Sequence, residues 1–136
     1  MAKNVLVDSG FLVALLNSRD ADHEWAHAIA KRYPPPWMTC DAALSEAFYL
    51  ISPNGPSQLA ELIKRGALSS TFRLNDSVFE VLQLMLKYEN VPMAFADACL
   101  VRMSEIFSDP IVLTTDSDFH VYRRLGRQAV PCVMPA

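Results

Sequence analysis

Near its start the chain carries Asn4-Val5-Leu6-Val7-Asp8, a run of apolar residues that does not alternate with polar ones and that stops on a carboxylate. A strand with one face in water alternates; one that does not is covered on both faces, as in a parallel sheet with helices on either side. The residues that follow, Gly10-Phe11-Leu12-Val13-Ala14-Leu15-Leu16, predict a helix. Asp8 and Ser9 therefore fall where a sheet passes into a helix, and ligands of open α/β sheets bind at that carboxyl edge. One acid at such a place is ordinarily a helix cap. The observation gains weight only if other acids reach the same edge.

At 136 residues with 51% hydrophobic content the chain is long enough for one domain with a real core and short for two. A net charge of -3 argues against a module that binds nucleic acid by general phosphate neutralisation. It leaves room for a nucleic-acid enzyme, because acids that bind divalent cations lose their repulsion for phosphate once the cation is in place. Cys40, Cys99 and Cys132 are odd in number, widely spaced and set among apolar residues, so free thiols in a reducing cytoplasm are expected rather than a disulfide framework. No export signal or membrane span is read, and a soluble cytoplasmic protein is expected.

Helices and strands alternate along the chain. Helices are expected over 23–33, 41–52, 57–65, 77–89 and 94–107, with Asp22, Asp41 and Asn75-Asp76 as caps and Pro53-Asn54-Gly55-Pro56 as a break. The helix over 77–89 is expected to bury Val78, Val81, Leu82, Met85 and Leu86. Strands are expected at 37–40, 71–74, 111–114 and 129–134, the last at a sheet edge because of Pro131. A short helix is expected through Tyr122 and Leu125. The fold class that follows is α/β, a parallel β-sheet covered by helices on both faces.

Four acids stand out against this pattern. Glu46 shares a helical stripe with Ala43, Ala47 and Leu50, and Asp97 shares one with Ala94, Ala98 and Val101, so each places a charge where the period calls for a hydrophobe. Burying an unpaired carboxylate costs several kcal/mol, so each needs a partner, an arginine such as Arg73 or Arg102 being one alternative. Asp8 and Asp116 follow directly on the two best strands and reach one edge if those strands are neighbours; Asp118 points the same way or caps the helix after it. Four oxygen donors with few bases among them suit Mg²⁺ or Mn²⁺. Ser9 and Thr114 are candidates for hydroxyls that orient the carboxylates.

These residues, in the segments Ala43-Leu44-Ser45-Glu46-Ala47, Phe95-Ala96-Asp97-Ala98 and Leu113-Thr114-Thr115-Asp116-Ser117-Asp118-Phe119, together with Asp8-Ser9, resemble the PIN-domain nucleases, especially the VapC toxins of bacterial toxin-antitoxin pairs. The resemblance spans nearly the whole chain. It implies a PIN-like, Rossmann-related three-layer fold and a Mg²⁺- or Mn²⁺-dependent endoribonuclease, often a homodimer, silenced by a small antitoxin protein. It also implies that Asp8, Glu46, Asp97 and Asp116 hold the metal and carry catalysis, with Asp118 a lesser metal ligand. Arg102-Met103-Ser104 departs from the small residues usual after the third acid, which bears on helix packing there. The chemistry served by such a set is in-line hydrolysis of an RNA phosphodiester by an activated water, leaving a 5′-phosphate and a 3′-hydroxyl.

A competing motif is His23-Glu24-Trp25-Ala26-His27, which fits the H-E-x-x-H pattern of zinc metallopeptidases, with Glu46 at a plausible separation for a third ligand. It leaves Asp8, Asp97 and Asp116 without a role. An acidic-pocket receiver domain would want a lysine after a late strand, where this chain has Thr114-Thr115-Asp116. Trp25, Phe48, Tyr49, Phe79 and Phe95 read as core or interface aromatics. Arg123, Arg124 and Arg127 form one basic cluster, suited to RNA phosphate, to an acidic partner or to solvent.

Overall fold

The computed structural model describes residues 3–51, 53 and 55–136. Five strands form a parallel sheet in the order β3-β2-β1-β4-β7, from β1 (Asn4–Val7), β2 (Trp37–Thr39), β3 (Leu68–Ser70), β4 (Pro110–Leu113) and β7 (Cys132–Val133). β1 and β4 lie side by side over four residues, from Asn4 opposite Pro110 to Val7 opposite Leu113. The residues next in line, Asp8 and Thr114, therefore leave the sheet together. A separate hairpin joins β5 (Arg123–Arg124) to β6 (Gln128–Ala129).

The helices are α1 (Ser9–Leu16), α2 (His23–Arg32), α3 (Asp41–Leu50), α4 (Gly55–Lys64), α5 (Val78–Lys87) and α6 (Phe95–Ile106). Two cores lie on opposite faces of the sheet. Val5, Val7, Ile111 and Leu113 point into one, with Phe11, Leu12 and Ala14 of α1, Ala26 of α2 and Leu59 and Leu62 of α4. Leu6 and Val112 point into the other, with Val81 and Leu84 of α5 and the buried side of α6. The same strands feed both, which is why their sequence does not alternate. α3 bridges the layers, its Ala43 in one core and its Ala47 in the other. The α/β expectation, helices on both faces of a parallel sheet, is what the structure shows.

Several local expectations change. The strand read at 71–74 lies earlier, at Leu68–Ser70, and Leu74–Asp76 is a 3-10 turn. Apolar content at Phe72 and Leu74 drew the reading past the paired residues. The short helix through Tyr122 and Leu125 is a 3-10 turn over Ser117–His120 followed by β5, and the last strand is split into β6 and β7 around Pro131, which lacks the N–H that a continuous ladder needs. β7 is an edge strand, as Pro131 suggests. Asp41 is the first residue of α3 and not its cap, since Cys40 holds the cap position; Asp22 sits at the cap of α2 without a side-chain bond. For α5 the cap position falls to Ser77. Ser52 and Asn54, where the end of α3 and part of the following break were expected, lie outside the described residues.

Helix phase is the larger correction. α5 carries two apolar stripes, and α6 takes the one containing Val81, Leu84 and Tyr88, leaving Val78, Leu82 and Leu86 exposed beside Phe79. Periodicity shows that a stripe exists; it does not say which of two stripes meets the neighbour. In α3 the buried positions are Ala43 and Ala47, continued by Ile51 at the cap, at steps of four, and Leu50 is exposed along with Phe48 and Tyr49. Glu46 is exposed too, so the expected charge in a core stripe does not exist there. Cys40, Cys99 and Cys132 are free thiols, the first two buried.

Candidate active site at the carboxyl edge

Asp8 is the cap of α1. One oxygen, Oδ1, accepts from the Phe11 N–H at 2.8 Å, and the other, Oδ2, accepts from the Thr114 hydroxyl. That hydroxyl also accepts from the Asp116 N–H at 2.9 Å. One threonine thus ties the carboxylate that follows β1 to the backbone of the acid that follows β4, an arrangement that follows from the β1 and β4 register. Asp116 in turn caps the 3-10 turn after it by accepting from the Asp118 N–H at 2.9 Å.

Asp97 lies in the first turn of α6, half-buried, with its Oδ2 accepting from the Tyr122 hydroxyl at 3.2 Å. Glu46, on the exposed side of α3, accepts from the Ser9 hydroxyl at 3.2 Å. So Ser9 and Thr114 both bond carboxylates of the group. Tyr122 was not singled out from the sequence. Its signal is the spacing Phe119-x-x-Tyr122, which stacks the two rings edge to face at 5.3 Å and buries the phenol against the acid.

The acids sense one another. Burial pushes the Asp8 carboxyl up to about 7, and the charges of Asp97 and Asp116 add to the rise, against the Thr114 hydroxyl and the Phe11 N–H, which favour the ionised form. Burial likewise pushes Asp97 up to about 6, with the charge of Asp116 and then that of Glu46 raising it, and the Tyr122 hydroxyl and Ala94 N–H opposing. Burial and the charge of Asp97 raise the Tyr122 phenol in its turn, and Asp118 adds to that rise. Asp8, Glu46, Asp97 and Asp116 are therefore one electrostatic unit, with Asp118 beside it.

Two alternatives for the acids fall away. Arg102 pairs with Glu105 at 3.2 Å and bonds the Ser77 hydroxyl, while Arg73 lies 3.5 Å from Asp76. Among the described residues no ion pair engages Asp8, Glu46, Asp97 or Asp116. The Arg102-Met103-Ser104 departure is accommodated, since Met103 and Ser104 are buried and Arg102 reaches along the surface. Arg123 and Arg124 are largely occupied by backbone: Arg123 bonds the His120 and Tyr122 carbonyls at 2.8 and 3.0 Å, and Arg124 bonds Ser104 O at 3.0 Å. They pin the hairpin, and of the expected basic cluster only Arg127 is fully on the exposed surface.

A second residue missed in the sequence is Gly10. A β-carbon there would collide with Thr115 Oγ1 and lie 3.5 Å from Asp8 Oδ1. A larger residue would require the Thr115 hydroxyl to turn away from the first turn of α1.

The donor set fits a hard divalent cation in kind: carboxylates and hydroxyls, oxygen only, with crowded negative charge and no neutralising base. Among the described residues no three His, Cys, Asp or Glu side chains stand close enough together to hold a metal ion as placed. Asp8 is fixed through both oxygens, whereas Glu46 is exposed and Asp97 and Asp116 are half-buried. The zinc motif finds no support. His23 and His27 stack edge to face at 4.5 Å, His23 Nδ1 is bonded to the Ala14 carbonyl at 2.8 Å, and Glu24 is exposed.

Tyr122→Phe tests the coupling. The phenol stabilises ionised Asp97, so its loss is expected to raise the Asp97 midpoint above about 6, read by carbon-13 NMR of the carboxyl in metal-free protein. An unchanged midpoint would refute the contact. Loss of one hydrogen bond is expected to lower stability by about 1 kcal/mol.

A comparison with curated proteins found no match. The family model PIN domain matches residues 5–125, which takes in α1 through β5 and every acid described above. With that match over most of its length, and with the parallel sheet and the carboxyl-edge acids, the chain belongs to the PIN domain family, a family of nucleases.

Proposed function

We propose that this protein is a metal-dependent endoribonuclease of the VapC type, the toxin of a toxin-antitoxin pair. The observation that carries the reading is the electrostatic unit of Asp8, Glu46, Asp97 and Asp116 at the carboxyl edge, without a basic partner. These four would hold Mg²⁺ or Mn²⁺, with Asp118 a lesser contributor. When bound, the cation supplies a water of lowered pKa and positive charge for the phosphoryl oxygens.

The remaining work falls to this chain's residues. Thr114 holds the Asp8 carboxylate and the Asp116 backbone, and the Asp118 N–H orients the Asp116 carboxylate, so the site reorganises little as charge develops. Tyr122 does the same for Asp97. A carboxylate oxygen that the cation leaves free, on Glu46, which Ser9 holds, or on Asp116, would take the proton of the attacking water. Hydrolysis then leaves a 5′-phosphate and a 3′-hydroxyl. The apolar side chains exposed on α3 and on α5, Tyr49 and Phe79 most of all, support partners for the protein, a second copy of the chain and a small antitoxin.

The test is cleavage of a mixed RNA pool by purified protein with EDTA, Mg²⁺, Mn²⁺ or Zn²⁺. Cleavage is expected with Mg²⁺ or Mn²⁺ only, and to be unchanged in His23→Ala. Cutting that persists in EDTA, or that depends on Zn²⁺ and on His23, would overturn the proposal.

A further inference from the structure

Between the start of α3 and the start of α6 lies a cleft of about 460 Å³, lined by Asp41, Ala42, Ser45, Glu46, Phe95 and Ala96. It is shallow and open to solvent, a surface on which a flat group can lie rather than an enclosed pocket. It adjoins the acidic group through Glu46, which lines it. Its walls differ in kind. Ala42 and Ala96 provide a methyl floor on which a flat ring can lie close. Phe95, 40% exposed, stands at the first position of α6, two residues before Asp97. The rim is made of acceptors: the carboxylates of Asp41 and Glu46 and the Ser45 hydroxyl. Asp41 Oδ1 accepts from Ser70 at 2.5 Å, which orients the group. Among the described residues no Lys, Arg or His lines the cleft.

Nothing in helix formation calls for an aromatic ring at Phe95. The apolar pair that would fix the entry of the chain into α6 is Met93 and Ala98, and both are buried in the core. An exposed ring left over from packing, beside acceptors and without bases, suits an occupant that is flat, apolar on its faces and rich in N–H donors at its edge. A phosphate is excluded by the carboxylates. An unpaired nucleobase matches all three requirements, since any base offers a π face and adenine, cytosine and guanine offer an amino group.

We propose that this cleft is a nucleobase subsite, in which Phe95 stacks on an unpaired base next to the bond to be cut and Asp41 favours bases that carry an amino group. The proposal rests on the nuclease reading above and adds its specificity: single-stranded RNA, with adenine, cytosine or guanine preferred to uracil beside the scissile phosphate.

The experiment measures binding apart from cleavage. Fluorescein-labelled hexamers of A, C and U are titrated by anisotropy, with Mg²⁺ present, into protein carrying Asp8→Asn, so that they are bound and not cut. The A and C hexamers are expected to bind more tightly than U. Phe95→Ala and Phe95→Leu are each expected to weaken binding by about tenfold, and Phe95→Trp to retain it. Asp41→Asn is expected to narrow the gap between C and U. In the otherwise wild-type chain Phe95→Leu is expected to raise KM more than it lowers kcat, with the melting temperature unchanged.

Phe95→Leu binding as well as the parent would show a role in packing only and overturn the proposal, as would equal affinity for A, C and U. A Phe95→Ala chain that changes only its sedimentation behaviour would make the face a protein contact, with the same consequence. If RNA is cut with Mg²⁺ while the Phe95 variants behave as the parent, the subsite alone is wrong. If the chain neither binds nor cuts RNA, the nuclease reading falls and the subsite falls with it.

Discussion

Asp8→Asn is expected to reduce metal-dependent RNA cleavage by more than about 100-fold, the change associated with loss of groups that merely support metal ligands. The same substitution is expected to stabilise the metal-free protein at neutral pH. An unfolded aspartate titrates near 3.8, and folded Asp8 titrates at about 7. Between these values the folded chain keeps a proton that the unfolded chain has released. Stability therefore falls as pH rises through the window, and the whole loss, on the order of 4 kcal/mol, is reached above it.

Asparagine carries no charge and keeps an oxygen for the Phe11 N–H. Melting curves in EDTA at pH 5 and pH 7.5 are expected to separate widely for the parent and much less for the variant. The residual slope in the variant belongs to Asp97, which is shifted in the same direction to about 6. Parallel pH profiles for parent and variant would mean that Asp8 is not the strained carboxyl. Cleavage that survived the change would remove it from the site.

Phe119→Ala is expected to produce the largest loss of stability. The ring is fully buried and lies edge to face against Tyr122, which packs in the same way on Tyr88 at 5.2 Å. Truncation of a buried phenylalanine costs about 3–5 kcal/mol, a large part of the 5–15 kcal/mol typical of a folded domain. In a chain of this length that corresponds to a fall in melting temperature of roughly 10–20 °C. The cavity also frees the Tyr122 ring, so the Asp97 midpoint is expected to move as in Tyr122→Phe. A fall of only a few degrees would show that neighbouring side chains close the gap.

What could be read in advance, and what could not, divides along physical lines. β1 and β4 were legible because a strand buried on both faces has no polar interruptions, and the acids ending them then had to share an edge. The α5 face was not, because two stripes compete and only α6 decides between them. Glu46 was picked out for a reason that fails: its stripe is not the buried one, and it joins the group from the exposed side of α3 through Ser9. Tyr122 and Gly10 were not legible because their roles depend on contacts across the fold. The phenol meets an acid 25 residues away, and the missing side chain makes room for Thr115.

The register of β1 and β4 also sets a timetable. Asp8 is held by a hydroxyl 106 residues further along. At the usual pace of protein synthesis, roughly 5–20 s separate the two. Until Thr114 has emerged, β1 has β2 beside it but nothing on its other side, and Asp8 has no neighbouring acid from Asp116. The acid group at the carboxyl edge is therefore assembled only once the central pair of strands has closed, late in the synthesis of the chain.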